Sequence, residues 1–230
     1  MSRSLGRIIA HIPARAGSKR VPSKNLRNLA GSPMISYAIK AAIASPELDE
    51  IYVNTDSPEL MHLARAMGVG VYERSSSLAS DTASGDDFTI DIIEKLKPDT
   101  LVMVSPVCPL VDSSDISRAI NAYKDSNADT LITCTDTQLQ SFCNGSPINI
   151  RLDEPLAPSQ NNPTVSICNW AVTIWDCKVF QFNYKSFGGG YLGSNRLLFP
   201  IDPLHSVKVS YEQDFQLAEA LIKARNLDLD

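Results

Sequence analysis

The chain has 230 residues, a formal net charge of −5, 43% hydrophobic and 20% charged residues, the size and balance of one α/β domain with room for a small extension. That charge excludes a broad basic face for nucleic acid, and no apolar run reaches the ~18–20 residues of a membrane span. Five cysteines, an odd number without CxxC spacing, exclude zinc ribbons and disulfide frameworks and fit reduced thiols.

Residues 1–7 lead straight into a first strand with no signal-peptide pattern, so a cytoplasmic protein working on a soluble metabolite is expected. Ile8–Ile12 reads as that strand. Met34, Ile35, Ala38, Ile39, Ala42 and Ile43 recur at helical spacing. Ile51–Val53 is a buried strand ending at Asn54-Thr55-Asp56, Pro58–Met67 a helix stopped by Gly68, and Val69–Tyr72 a third strand. Ser84–Leu96 is a helix that Pro98 ends, and Leu101–Val104 an apolar strand. Ser113–Lys124 is a helix with Ser113 or Ser114 as N-cap, and Thr130–Cys134 another strand. This alternation predicts a mostly parallel twisted sheet with flanking helices and right-handed crossovers.

The rhythm breaks after Thr135. Residues 138–168 are rich in Asn, Gln, Ser and Pro, with a strand expected at Ile148–Leu152. Trp170–Trp175 reads as a strand, Asp176–Phe182 as a short helix and Phe187–Gly193 as a flexible glycine loop. A strand pair, Leu197–Ile201 and Val207–Val209, precedes a helix over Glu212–Arg225. A structureless loop of ~30 residues inside a compact domain is unusual, so residues 138–193 are read as a small lobe within one domain over 1–230.

The run Ile12-Pro13-Ala14-Arg15-Ala16-Gly17-Ser18-Lys19-Arg20-Val21-Pro22-Ser23-Lys24-Asn25 follows the first strand directly. It gathers four cations (Arg15, Lys19, Arg20, Lys24) among small residues, in a loop that no helical pattern explains. Small residues let backbone N–H groups approach a phosphate, and cations neutralise it. A solvated basic loop is the alternative. The position beyond the carboxyl end of a strand, where open α/β sheets bind ligands, argues for a bound polyanion. The run is neither a Walker A loop nor a G-x-G-x-x-G fingerprint.

The loop resembles the opening signature of the cytidylyltransferases that activate sialic acids, I-P-A-R-x-G-S-K-x-(L/I/V)-P-x-K-N. These are the CMP-sialic acid synthetases (acylneuraminate cytidylyltransferases) and their relatives for pseudaminic, legionaminic and octulosonic acids. Arg20 stands where the sialic acid enzymes usually have Gly, a departure more like the pseudaminic acid branch. The resemblance implies a Rossmann-like nucleotide-diphospho-sugar transferase fold, a homodimer whose lobe closes the partner's site, and Mg²⁺ as cofactor. It implies CTP and a small sugar acid as substrates, and CMP transfer for surface glycan biosynthesis. Ala14, Arg15, Ala16, Gly17, Ser18, Lys19, Lys24 and Asn25 would hold the nucleotide, with Arg15 and Lys24 acting on the phosphates. The bland alternative for Lys24 is a salt bridge on the following turn.

Three further runs resemble the family's motifs. Arg74 through Ser84 follows R-x-x-x-L-A-x-D-T-A-S, so Arg74, Asp81, Thr82, Ala83 and Ser84 would read the cytosine, while Asp81 and Ser84 also suit helix caps. Val104–Val111 aligns with L-Q-P-T-S-P-L-R, with Ser105, Val107, Cys108 and Val111 in place of Gln, Thr, Ser and Arg. Ser105 and Val107 then face a different or less polar acceptor. Gln160 and Asn169 match further acceptor positions, whereas Arg151 and Arg196 are read as solvated surface charges. Val207–Asp214 aligns with I-D-I-D-T-E-E-D, whose two Asp would hold the metal. Lys208 and Ser210 stand there instead, and a Lys cannot ligate Mg²⁺. The metal ligands are therefore unassigned, and Lys208 is expected to contact phosphate itself. Asp214 and Glu212 equally suit the first turn of the last helix.

Cys108 is expected as a buried small residue rather than a nucleophile, since no partner base accompanies it. His11 is expected packed, and His62 and His205 on the surface without a carboxylate partner. Trp170 and Trp175 are expected in the core or at a dimer contact. Beside CMP transfer to a sugar acid stand two alternatives: another nucleotide or acceptor, or a nucleotide-binding module with little turnover.

Overall fold

The computed structural model describes residues 3–17 and 20–227, the last two as backbone. Seven strands form one sheet: β1 (Ile8–Pro13), β2 (Glu50–Thr55), β3 (Gly70–Glu73), β4 (Thr100–Val104), β5 (Thr130–Thr137), β6 (Val165–Asp176) and β7 (Arg196–Pro200). Their order is β7-β5-β6-β4-β1-β2-β3. All ladders are parallel except those of β6, which is antiparallel to both β4 and β5. The expected mostly parallel α/β fold is present.

Alternation along β1 sets the layers. Ile8, Ala10 and Ile12 pack with α1 (Ile35–Ile43), α2 (Pro58–Ala66) and α4 (Ser113–Asp125) on one face. Ile9 packs oppositely, with Met103, Trp175, α3 (Gly85–Leu96) and α5 (Cys177–Phe187). A third cluster docks α6 (Glu212–Leu227) through Phe215, Ala218 and Ile222 onto Val21, Leu29, Met34 and Val209. The last helix thus pins the base of the basic loop.

Several local expectations change. Asp112, not Ser113 or Ser114, caps α4: its carboxylate accepts from Asp115 N at 3.1 Å, and Asp115 reciprocates in a capping box. Ile148–Leu152 forms no strand, and Asn149 is held through its side chain instead: Nδ2 donates to Leu139 O and Pro163 O at 3.0 Å, and Oδ1 accepts from Ser141 N at 2.9 Å. Val207–Val209 forms no ladder either, and Val209 N instead donates to Val107 O at 2.8 Å. The glycine loop is anchored: Gly190 N and Tyr191 N donate to Asp86 Oδ1 at 2.6 and 2.8 Å. A Cβ on Gly190 would lie 2.6 Å from Phe180 O, so only glycine permits this approach.

Residues 165–187 of the supposed lobe belong to the main fold, since β6 sits mid-sheet and α5 covers it. Within the span 138–193, residues 138–164 carry no strand of the central sheet. Across β6 the register shifts between Cys168 and Thr173, and Trp170 takes a left-handed φ of 59°. Trp175 is fully buried, and Trp170 packs on Tyr191 with ring centroids 5.3 Å apart.

Candidate active site

The chain order reverses beside β1: β2 and β3 extend the sheet to one side, β4 to the other. Such a switch point opens a crevice at the carboxyl ends of the strands. There a cleft is lined by Pro13, Arg15, Gly17, Arg20, Lys24, Asn25, Pro106 and Val107. No carboxylate is among these residues. The expected loop residues Arg15, Gly17, Lys24 and Asn25 therefore meet at one cleft, with Ala14 buried at its base. Ser18 and Lys19 lie outside the described residues.

The loop is held from β2 and from the run after β3. Ala14 N donates to Asn54 O at 2.9 Å, continuing the ladder. Ala16 N donates to Asp56 Oδ1 at 2.9 Å, so this amide already has a carboxylate partner. Arg15 Nη1 pairs with Asp81 Oδ1 at 2.8 Å, joining the two runs that sequence reading assigned to phosphate and base. Arg74 is buried, with Nε donating to Asn54 Oδ1 at 2.7 Å and Nη2 to Asn54 O at 3.0 Å. Its guanidinium stacks 4.3 Å from the Phe88 ring centroid. Burial, helped by the charge of Arg15, lowers its pKa to about 10, so it stays cationic at neutral pH. Thr82 and Ser84 are exposed and Ala83 half-buried. Ser84 caps α3 in a capping box with Asp87.

The fourth run comes to the same cleft. Lys24 Nζ donates to Val209 O at 2.8 Å, which is not the salt bridge weighed for it. Its pKa is lowered, first by burial and then by the positive fields of Arg20 and Lys208, so three cations share this corner. Arg20 lies over the Tyr211 ring at 5.1 Å. Asp214 accepts from Ser210 N at 2.9 Å and Tyr211 N at 2.8 Å, and Glu212 takes Arg27 at 2.5 and 2.7 Å. Both carboxylates decorate the start of α6. Asn25 Oδ1 is buried without a hydrogen-bond partner among the described residues, although Asn25 lines the cleft.

The acceptor candidates separate. Val107 lines the cleft, and its carbonyl receives Val209 N. Ser105 is buried, its N–H donating to Ala171 O at 2.9 Å. Asn169 fastens the β6 bulge, accepting from Thr133 Oγ1 at 2.7 Å and Ala171 N at 3.1 Å. Gln160 is exposed outside the cleft lining, its carbonyl accepting from Gln138 Nε2 at 3.0 Å. Cys108 is buried and its thiol pushed up to about 11, which leaves it a poor nucleophile. His11 is packed as expected, and burial pulls its pKa down to about 3.

His205 departs from expectation: its Nδ1 lies 2.6 Å from Asp115 Oδ2, a carboxylate 90 positions away in sequence. With Asp112 these side chains bring ligand atoms within 4.8 Å of one another. They do not suit Mg²⁺, which wants oxygen donors and its own waters. Arg118 already holds Asp115 at 2.6 Å and Arg225 lies 3.5 Å from Asp112. At the cleft the nearby carboxylates are likewise engaged, Asp56 by Ala16, Asp81 by Arg15 and Asp214 by its helix. The residues present do not fit a protein-held Mg²⁺ at either place.

Sequence reading missed Asn54 and Asp56, which brace Arg74 and the loop. Their signal was the polar triplet Asn54-Thr55-Asp56 closing a buried strand.

A doubly flanked sheet with a cationic crevice at its switch point is an architecture suited to holding an anionic ligand such as a nucleotide. The comparisons agree. A cytidylyltransferase family profile matches residues 9–149. CMP-N,N′-diacetyllegionaminic acid synthase of Legionella pneumophila is 40% identical over 124 residues, 51% of this chain and 53% of that protein. The aligned stretch thus spans about half of that relative. Post-translational flagellin modification protein B of Campylobacter coli is 29% identical over 97% of this chain and 98% of its own. In fold, the chain is similar to CMP:2-keto-3-deoxy-manno-octonic acid synthetase complexed with CTP, at TM-score 0.72 and 19% identity over 95% of this chain and 99% of that one. The chain belongs to the cytidylyltransferase family.

Proposed function

We propose that the chain transfers CMP from CTP to a 2-keto-3-deoxy sugar acid of the sialic, pseudaminic or legionaminic kind, for surface glycan biosynthesis. A hydroxyl oxygen of the acceptor attacks the α-phosphorus and releases its proton to solvent, the bond to the α–β bridging oxygen breaks, and pyrophosphate leaves with that oxygen. The names of the relatives support the substrate class. The observation that carries the reading is the convergence of Arg15, Arg20 and Lys24 on one cleft of an acidic chain, with Lys208 near enough to act on Lys24.

In this reading Arg15 and Lys24 neutralise the triphosphate, and Lys208 adds charge at the same corner. The unpartnered Asn25 Oδ1 accepts a hydrogen bond from the nucleoside. Arg74, Asp81, Thr82, Ala83 and Ser84 form the base side, and Val107 the acceptor wall. Mg²⁺ would come as the counter-ion of the nucleotide, and no protein ligand is assigned to it. Exposed Leu139, Phe142, Ile148, Leu152 and Leu156 on the 138–164 segment support a homodimer contact there. Among the described residues no helix is long and apolar enough to cross a membrane, in keeping with a cytoplasmic site of action.

Thermal shift with CTP, UTP, GTP and ATP tests the base, and pyrophosphate release with a panel of sugar acids tests the acceptor. CTP at one hundred times its Kd should stabilise the fold by about 2.7 kcal/mol, and Lys24→Met should weaken CTP binding roughly tenfold to hundredfold, the weight of a charged contact. No stabilisation by CTP overturns the proposal.

A further inference from the structure

We propose that His205 and Asp115 form a clasp that positions Lys208 and Val209 beside Lys24, making His205 a positioning residue for triphosphate binding. The inference rests on the CTP reading above. Asp115 is a fixed anchor: its side chain is 1% exposed. Its Oδ1 accepts from Arg118 at 2.6 Å and its Oδ2 from Asp112 N at 3.3 Å, both on or beside α4. His205 Nδ1 meets that same Oδ2 at 2.6 Å. The charged groups around the imidazole are therefore Asp112, at 3.9 Å, and Asp115, with Arg118 and Arg225 behind them.

His205 sits in the connection between β7 and α6, where ladder bonds are lacking. Its neighbours make local turns, Leu204 N to Asp202 Oδ1 at 2.8 Å and Ser206 N to Asp202 O at 3.0 Å, and one tie to β5 through Thr135 Oγ1 and Ser206 Oγ at 2.9 Å. Four residues on, Val209 bonds Val107 and receives Lys24 Nζ. A stretch of four residues spans at most ~14 Å, so an anchor at position 205 limits where the Lys208–Val209 peptide lies. Arg118 and Arg225 already bring positive charge to Asp115 and Asp112, which favours a clasp over a cation site.

The test is a double-mutant cycle on CTP affinity with wild type, His205→Ala, Lys208→Met and the double variant. His205→Ala should weaken CTP about tenfold while leaving kcat at saturating CTP within about twofold, and should cost nothing further in the Lys208→Met background. His205→Asn, whose Nδ2 lies near the place of Nδ1, should restore affinity, and His205→Gln should not. Additive losses, or unchanged affinity in both His205→Ala and His205→Gln, overturn the clasp. If His205→Ala is insoluble, the Asn and Gln pair decides. A rise in melting temperature on adding Mn²⁺ or Zn²⁺ alone that is lost in His205→Asn also overturns it, in favour of a metal site. Wild type that does not bind CTP sinks the underlying reading, a result distinct from variants that bind as wild type does.

Discussion

The cleft end of the sheet and the 138–164 segment are held by different physics. At the cleft, buried strands with fixed register carry the loop outward, so a backbone bond from Ala14 and side-chain bonds from Asn54, Asp56 and Asp81 act on an already rigid frame. In the segment, order comes from a short ladder between 142–143 and 146–147 and from a few amides. Asn149, Asn162 and Gln138 bond to backbone carbonyls, while five large apolar side chains face solvent. Charge is concentrated where the backbone is stiff, and apolar surface is displayed where it is tied only locally. A stiff frame suits a site that must hold several like charges together, because relaxation would let them move apart.

The largest way to break this contrast is acid. His11 lies fully buried in the sheet with both ring nitrogens unpartnered among the described residues, its pKa lowered to about 3 from 6.5. Between those values the unfolded chain binds the proton and the folded chain does not. Stability therefore falls as pH drops through that window, by about 1.4 kcal/mol per unit, and His11→Leu should flatten the profile seen in denaturant titrations. An unaltered acid profile in His11→Leu would count against it. Next in size is Asn169→Ala, which takes the acceptor from the buried Ala171 N–H and one of three partners from the buried Thr133 hydroxyl, whose bonds to Val172 remain. A loss of about 2–3 kcal/mol of global stability is expected, with CTP affinity unchanged; a selective loss of acceptor affinity would restore the sugar-binding role instead. The smallest is Asn149→Ala, costing about 1 kcal/mol locally. Hydrogen exchange should quicken over 139–163 while β1 and β4 keep their protection.

Much of the frame was readable because burial writes itself into alternation. Ile8–Ile12, Leu101–Val104 and Thr130–Cys134 are apolar runs between turn signals, and all three are central strands. The same logic misfired at Ile148–Leu152 and Val207–Val209, where apolar residues lack a neighbouring strand to pair with. The N-terminal half of β6 was hidden by Ser166, Cys168 and Asn169, polar residues satisfied across the bulge. In the site, the basic loop and the run from Arg74 to Ser84 were visible as motifs, and Arg15 joins them. His205 was misread as a lone surface histidine because its carboxylate lies far along the chain, and no local spacing announces such a pairing.

Strand β6 outruns the sheet. Val172–Asp176 pairs with β4, while Val165–Cys168 pairs with β5 alone, up to Thr137. The two strands therefore leave the ligand edge as a paired arm with residues 138–164 at its tip. Such an arm is a modular joint: residues added or removed at the tip alter its reach while every register in the seven-stranded sheet stays in step. The cationic cleft and the apolar tip can thus be re-engineered as separate parts.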